Sequence, residues 1–299
     1  MADASFDLDS AFERIRGEVD ALFGELLATP PDPRAPLYEG MRYAAIGGGK
    51  RLRPLLVVAA AGLFHVDRER ALRVGLAAEC IHVYSLIHDD LPAMDDDDLR
   101  RGKPTLHKAH GEAIAILAGD SLHDLAFAIL ANDATHEDPF VRTELVAELA
   151  QAAGPSGMAG GQMMDIAAEA GGLDLAAVTR LQQLKTGALI GFCLEAGAIM
   201  GRVPAEGRTK LRGYARDVGL AFQIADDLLD EEGEEQRLGK TVGKDRARGK
   251  ETFVTLLGRE RARQQADLLV EQAIGYLKSY GPEADLLRAI ARFAVERDH

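Results

Sequence analysis

The chain has 299 residues, 47% of them hydrophobic and 28% charged, enough apolar mass for a sizeable core in one large domain or two ordinary ones. Its net charge of −13 argues against nucleic acid or an anionic membrane as the main partner, so an anion would have to meet a local basic cluster or metal cations. Ala, Leu, Glu and Arg dominate and no alternating Val/Ile/Thr run is bounded by hairpin dipeptides, so an all-α fold without strands is expected.

In chain order, the opening "MADASFDLDS" is acidic and carries no basic, apolar signal-peptide pattern. The longest purely apolar run, "LLVVAAAGLF" (55–64), is too short to span a bilayer, and the cytoplasm is the expected compartment. Breaks rich in Gly, Pro and Asp separate stretches of helical apolar spacing. These predict helices near 8–28, 37–46, 55–64, 68–91, 110–131, 139–153, 158–169, 173–200, 206–231, 251–279 and 284–297. No break is long enough to be a linker, so residues 1–299 are read as a single domain. Cys80 and Cys193 lie in apolar surroundings without paired spacing, which predicts buried, reduced thiols.

The first functional signal is the turn "GGGKRLRP" (47–54), which offers Lys50, Arg51 and Arg53 after three glycines that let backbone approach an anion. It is not a Walker loop, because no Ser or Thr follows Lys50. The next helix, "ALRVGLAAECIHVYSLIHDD" (71–90), is apolar nearly all round and therefore belongs in the core. Glu79, His82, Ser85 and Asp89 share one stripe on it at spacings of three and four. A polar stripe on a core helix costs desolvation unless satisfied, so it is expected to line a cavity.

Asp89, Asp90 and Asp95 to Asp98 then crowd together, followed by Arg100 and Arg101. Further on, "LQQLKTGALIG" (181–191) places Lys185 between apolar neighbours, where it needs an anion. In "LAFQIADDLLD" (220–230) Gln223, Asp226 or Asp227, and Asp230 repeat the three-or-four spacing. Both aspartate clusters end their helices at the negative pole of the macrodipole, a conflict that a hard cation removes. Oxygen ligands without Cys or His suit Mg²⁺ better than zinc, and the first loop lacks the central Gly and closing Glu of a calcium loop.

"GGGKRLRP", "HDDLPAMDDDDLRRGKPT", "GGQMMD", "LKTG" and "FQIADDLLD" together resemble, in order, the landmarks of the trans-isoprenyl (polyprenyl) diphosphate synthases, over residues 40 to 260. The resemblance implies an all-α, single-domain helical bundle around a deep central cavity, working as a homodimer. It implies about three Mg²⁺ per site, held by Asp89 and Asp95 on one wall and by Asp226 and Asp230 on the other. Asp90, Asp165, Asp227 and Lys250 would stand behind these groups, with Asp165 either supporting the metals or satisfying a helix start. The allylic diphosphate would meet Arg100, Lys185 and Lys240, with Thr186 and Gln223 near the reacting carbon. Lys50, Arg53, His82 and Arg101 would hold isopentenyl diphosphate, and Arg297 in the tail is a candidate to close over it.

The implied activity is head-to-tail condensation of isopentenyl diphosphate with dimethylallyl and geranyl diphosphate to give farnesyl diphosphate. Tyr84 lies five residues before Asp89, roughly 7.5 Å down the helix, and with Ser85 would form the floor that stops growth at fifteen carbons. The alternatives are a geranyl- or geranylgeranyl-forming member, a non-catalytic subunit, a terpene cyclase and an HD-type phosphohydrolase built on "IHDD". Among them, a cyclase would leave the "GGGKRLR" pocket without purpose, a silent subunit commonly loses motif aspartates, and a hydrolase wants its histidines from separate helices.

Overall fold

The computed structural model describes residues 7–168, 172–232 and 251–296. Lys240, Lys250 and Arg297 lie outside the described residues. Asp7 opens the first helix, α1 (Leu8–Leu26), by accepting a hydrogen bond from the Ser10 amide, and α2 (Ala35–Ala45) begins with Pro36 in its first turn. Then come α3 (Leu52–Gly62) and α4 (Arg68–Asp89), the latter capped by Asp67, whose carboxylate takes the Glu69 and Arg70 amides. The polar stripe therefore sits on a helix of 22 residues that ends at Asp89.

A short hairpin follows where no strand was expected: β1 (Leu99–Arg100) pairs antiparallel with β2 (Lys103–Pro104). Arg101 and Gly102 make its two-residue turn, both at positive φ (52° and 74°), the requirement of a type I′ turn. The sequence gives no alternation to announce it, because each strand is only two residues long.

The chain continues through α5 (Leu106–His110), α6 (Glu112–Ala131), α7 (Pro139–Ala153) and α8 (Met158–Ala168). Gly111, at φ 88°, separates the short α5, which was not expected, from α6, which matches the expected 110–131 helix but begins at Glu112. Helix α6 is long and apolar enough to cross a membrane by length and composition, which the 55–64 run is not. In the fold it packs along α4 and buries Ala115, Ala118, Leu122, Ala126, Ile129 and Leu130.

The expected helix over 173–200 is interrupted: α9 (Leu175–Gln182) passes through a π-helical turn (Gln183–Gly187) into α10 (Ala188–Met200). A π-turn carries one extra residue per turn, and such bulges gather at functional sites. Here it contains Lys185 and Thr186. Gly161 on α8 faces this turn so closely that an added Cβ would lie 2.2 Å from the Lys185 amide nitrogen. Gly161→Ala is therefore expected to destabilise the fold by about 1–3 kcal/mol, read from urea denaturation, because backbone rather than a flexible side chain must move.

Helix α11 (Thr209–Glu232) carries the second aspartate cluster. The expected 251–279 helix is split at Gly258 (φ 78°) into α12 (Phe253–Leu257) and α13 (Arg259–Tyr276), and α14 (Asp285–Glu296) ends the described chain. Thr252 caps α12 in a reciprocal capping box with Thr255. Buried residues from α1 to α14 form one hydrophobic cluster. Cys80 and Cys193 are free and buried within it.

Candidate active site

Two adjoining cavities meet at Lys185. The larger, about 380 Å³, is lined by Arg53, His82, Tyr84, Ser85, Asp89, Lys185 and Thr186, together with apolar Leu86, Met94, Met158, Met163 and Ile166. The second, about 240 Å³, is lined by Asp165, Lys185, Gln223, Asp226, Asp227, Asp230, Glu251 and Thr252. Residues from 53 to 252 thus converge on one lysine.

The first wall is the C-terminal end of α4. His82, Ser85 and Asp89 face the cavity, as their spacing predicts. Glu79 does not: it is 2% exposed and ion-paired with Arg51, so the stripe turns from cavity lining to buried counter-charge one turn up. Beyond Asp89 the chain folds back on itself, the Asp95 amide donating to the Asp89 carbonyl at 2.8 Å. Asp90 points the other way and takes a forked hydrogen bond from Arg100, at 2.6–2.9 Å. Arg100 is thereby fixed by a bidentate pair. Burial, and then the nearby Asp95 and Asp90, push the Asp89 carboxyl up to about 6 despite the attraction of Lys185 and Arg100.

Lys185 has found the anion its surroundings demand. Its Nζ donates to Asp165 Oδ2 at 2.7 Å. Asp165 sits inside α8, so the helix-start reading is wrong and the lysine pair replaces it. Burial works against the ammonium charge, but Asp165, then Asp89 and Asp95, raise the Lys185 pKa above its ordinary value.

On the second wall, Gln223 Nε2 donates to Asp226 Oδ2 at 3.4 Å, and Asp226 and Asp230 follow one turn apart on α11. Asp227 accepts the Phe253 amide at 2.9 Å, tying the start of α12 to the cluster. Sequence reading missed Glu251 and Thr252, which line this wall; only their position just after the "GKDRARGK" run hints at it.

The basic loop reaches the larger cavity through Arg53. Gly49 has φ 76°, and the Arg101 guanidinium lies against it where a side chain would otherwise stand. Arg53 lines the larger cavity, while Lys50 sits over the Phe293 ring at 4.9 Å. Burial, then Arg53 and Arg101, drive the His82 pKa well below its ordinary value, so His82 is a neutral hydrogen-bonding group here and not a cation.

Tyr84 is held edge-on between His88 and His123, at ring-centroid distances of 5.6 and 5.1 Å, and His123 in turn stands 5.1 Å from Phe127. Ser85 lines the cavity beside Tyr84 and donates to the His82 carbonyl at 2.9 Å. The His88 Nε2 approaches the Ile116 carbonyl on α6 at 3.1 Å, turned from the cavity that Asp89 faces. A His–Asp pair sharing one metal, which the hydrolase reading needs, is not formed.

The donor set fits Mg²⁺. The acids that line the two cavities, Asp89, Asp165, Asp226, Asp227, Asp230 and Glu251, are hard oxygen donors, and a cation would relieve the burial that disfavours the Asp89 charge. Among the described residues no three His, Cys, Asp or Glu side chains close into a metal cage. Mg²⁺ takes one or two carboxylates and completes its shell with water and phosphate oxygens.

The polyprenyl synthetase family model matches residues 34–290. The chain is 42% identical over 297 residues to the farnesyl diphosphate synthase of Escherichia coli, covering 98% of this chain and 99% of that one. It is 43% identical over 264 residues to the farnesyl diphosphate synthase of Bacillus subtilis, covering 88% and 89%. A solved apo structure of an FPP/GFPP synthase from Zymomonas mobilis superposes with a TM-score of 0.89 at 59% identity, over 97% of this chain and 99% of that one. With its motifs gathered on one cavity system and its similarity running almost end to end, the chain belongs to the polyprenyl synthetase family.

Proposed function

We propose that this prenyltransferase condenses isopentenyl diphosphate with dimethylallyl and then geranyl diphosphate and releases farnesyl diphosphate, in the cytoplasm and as one domain. The observation that carries the reading is the meeting of the two aspartate-lined cavities at Lys185, with Arg53 and His82 opening onto the first of them. Asp89 and Asp95, and across the site Asp226 and Asp230, are the residues that would hold Mg²⁺. Bound there, the metal stabilises the charge that develops on a departing diphosphate.

Lys185 and Arg100 face the same leaving group, each already fixed by a carboxylate, so little side-chain freedom is lost on binding. Lys50, Arg53, Arg101 and neutral His82 hold isopentenyl diphosphate, whose double bond attacks the allylic carbon as the carbon–oxygen bond breaks. Thr186 and Gln223 lie beside that carbon. The proton lost in forming the new double bond leaves with the released diphosphate. Met94, Met158, Met163 and Ile166 give the prenyl chain an apolar wall and keep water from the cationic carbon. Ile116 and Leu117 on α6, 44% and 54% exposed, are apolar surface of the kind a homodimer would cover.

The test is incubation of the protein with Mg²⁺, labelled isopentenyl diphosphate and dimethylallyl diphosphate, with products separated by carbon number. A fifteen-carbon diphosphate that vanishes with EDTA is expected. Free phosphate without carbon–carbon bond formation would overturn the reading.

A further inference from the structure

Arg51 stands in the middle of the basic loop, yet it faces away from the site. Its side chain is fully buried, while its neighbours Lys50 and Arg53 are turned toward Phe293 and the cavity. Its backbone is left-handed, with φ 55°, at the cap of α3. Gly47 and Gly49 are left-handed too, at 74° and 76°. The two glycines take up this backbone freely, but for arginine it carries a real cost. Something outside the loop must hold it.

Asp20, on α1, does so from one side. Its Oδ1 accepts from the Arg51 guanidinium at 2.6 Å and its Oδ2 accepts from the Gly47 amide at 3.2 Å, so a single carboxylate grips both ends of the left-handed run. Glu79, on α4, accepts from the other arm of Arg51 at 2.9 Å, and the Ala45 carbonyl accepts as well. Glu79 lies one turn before His82 on the same helix, so the brace also references the loop to the wall it works with. Asp20 is 22% exposed, whereas Arg51 and Glu79 are buried.

We propose that Asp20, Arg51 and Glu79 are positioning residues that hold the Gly47–Arg53 segment ready for the isopentenyl diphosphate, so that Lys50 and Arg53 meet it without first ordering the loop. The proposal rests on the assignment of Lys50 and Arg53 to that substrate. A buried ion pair that only supports the fold would lower stability without regard to substrate when broken. A brace that preorganises one binding loop acts on the affinity for one substrate.

The experiment compares wild type with Asp20→Ala, Asp20→Asn, Glu79→Gln and Arg53→Ala, measuring thermal melting, kcat, and KM for each substrate. Asp20→Ala is expected to raise the KM for isopentenyl diphosphate about tenfold, the loss of one charge-assisted contact. Its kcat at saturation and its allylic KM should stay within about twofold of wild type. Asp20→Asn, which keeps an acceptor for Gly47, should fall between, and Glu79→Gln should move the same constant. If Arg53→Ala raises that KM and Asp20→Ala does not, or if Asp20→Ala moves both KM values alike, the brace is an ordinary structural pair and the proposal fails alone. If Arg53→Ala leaves the KM unchanged, the site assignment fails first and the proposal with it.

Discussion

Asp89→Asn is expected to lower turnover by about a thousandfold or more, the cost of removing a charged group aimed at the developing charge, while making the metal-free protein more stable. The second half follows from the position of the residue. Asp89 ends a core helix, where the macrodipole is negative, and faces Asp95 within a partly buried cavity. In the fold its pKa is pushed up to about 6, above the ordinary carboxylate range. A carboxyl raised in this direction leaves the fold at full stability below the unfolded value and weakens it as pH rises through the folded one. At pH 7.5 the native state therefore bears a penalty of about 2–3 kcal/mol at this side chain.

Asparagine removes that penalty and keeps the shape. In EDTA, melting curves from pH 5 to 8 should show wild type losing stability through pH 6 at this site, and Asp89→Asn running above it at the alkaline end. Added Mg²⁺ should stabilise wild type more than the variant, which keeps only the carboxylates of Asp95, Asp226 and Asp230 for the metal. A variant that melts below wild type in EDTA at pH 7.5 would mean that Asp89 is held by an attraction the cavity does not show.

What could be read from the sequence divides along a physical line. Periodicity reports which residues share a face, so His82, Ser85 and Asp89 were legible as one wall, and Gln223, Asp226 and Asp230 as another. It is silent on partners that are distant in sequence. Glu79 belongs to the same stripe as Asp89, but its role is set by Arg51, 28 residues away, and its burial followed no local signal. Lys185 announced a need for an anion, and only the fold reveals that Asp165 supplies it.

The π-turn is invisible for a related reason. A single extra residue leaves a short apolar pattern almost unchanged, and the sign that mattered was Gly161, 24 residues upstream, which lets α8 approach that backbone. Gly258 did lie in the sequence as punctuation. Within long periodic stretches, however, a lone glycine is tolerated too often to mark a break.

Tyr84→Ala is expected to lengthen the principal product beyond fifteen carbons. The tyrosine and Asp89 line the same cavity, five residues and roughly 7.5 Å apart along α4. Diphosphate anchored near Asp89 therefore sends its growing chain toward the phenol. That ring is not a loose obstacle: His88 and His123 clamp it edge-on from two helices, and Phe127 stands behind His123. Burial raises the phenol pKa, so the hydroxyl stays protonated and the floor uncharged across the working range. Truncation to alanine removes the phenol group and opens space of the order of one isoprene unit, next to the apolar walls of the cavity. A chain entering that space next meets His123, so growth should stop one or two units later rather than run on. Product analysis by carbon number at fixed substrate ratio checks this, alongside kcat, which should change little because the metal-facing groups are untouched. If Tyr84→Ala still releases only the fifteen-carbon product, the stop lies in another lining side chain. The rigid stack of Tyr84, His88 and His123 would then serve to brace α4 against α6.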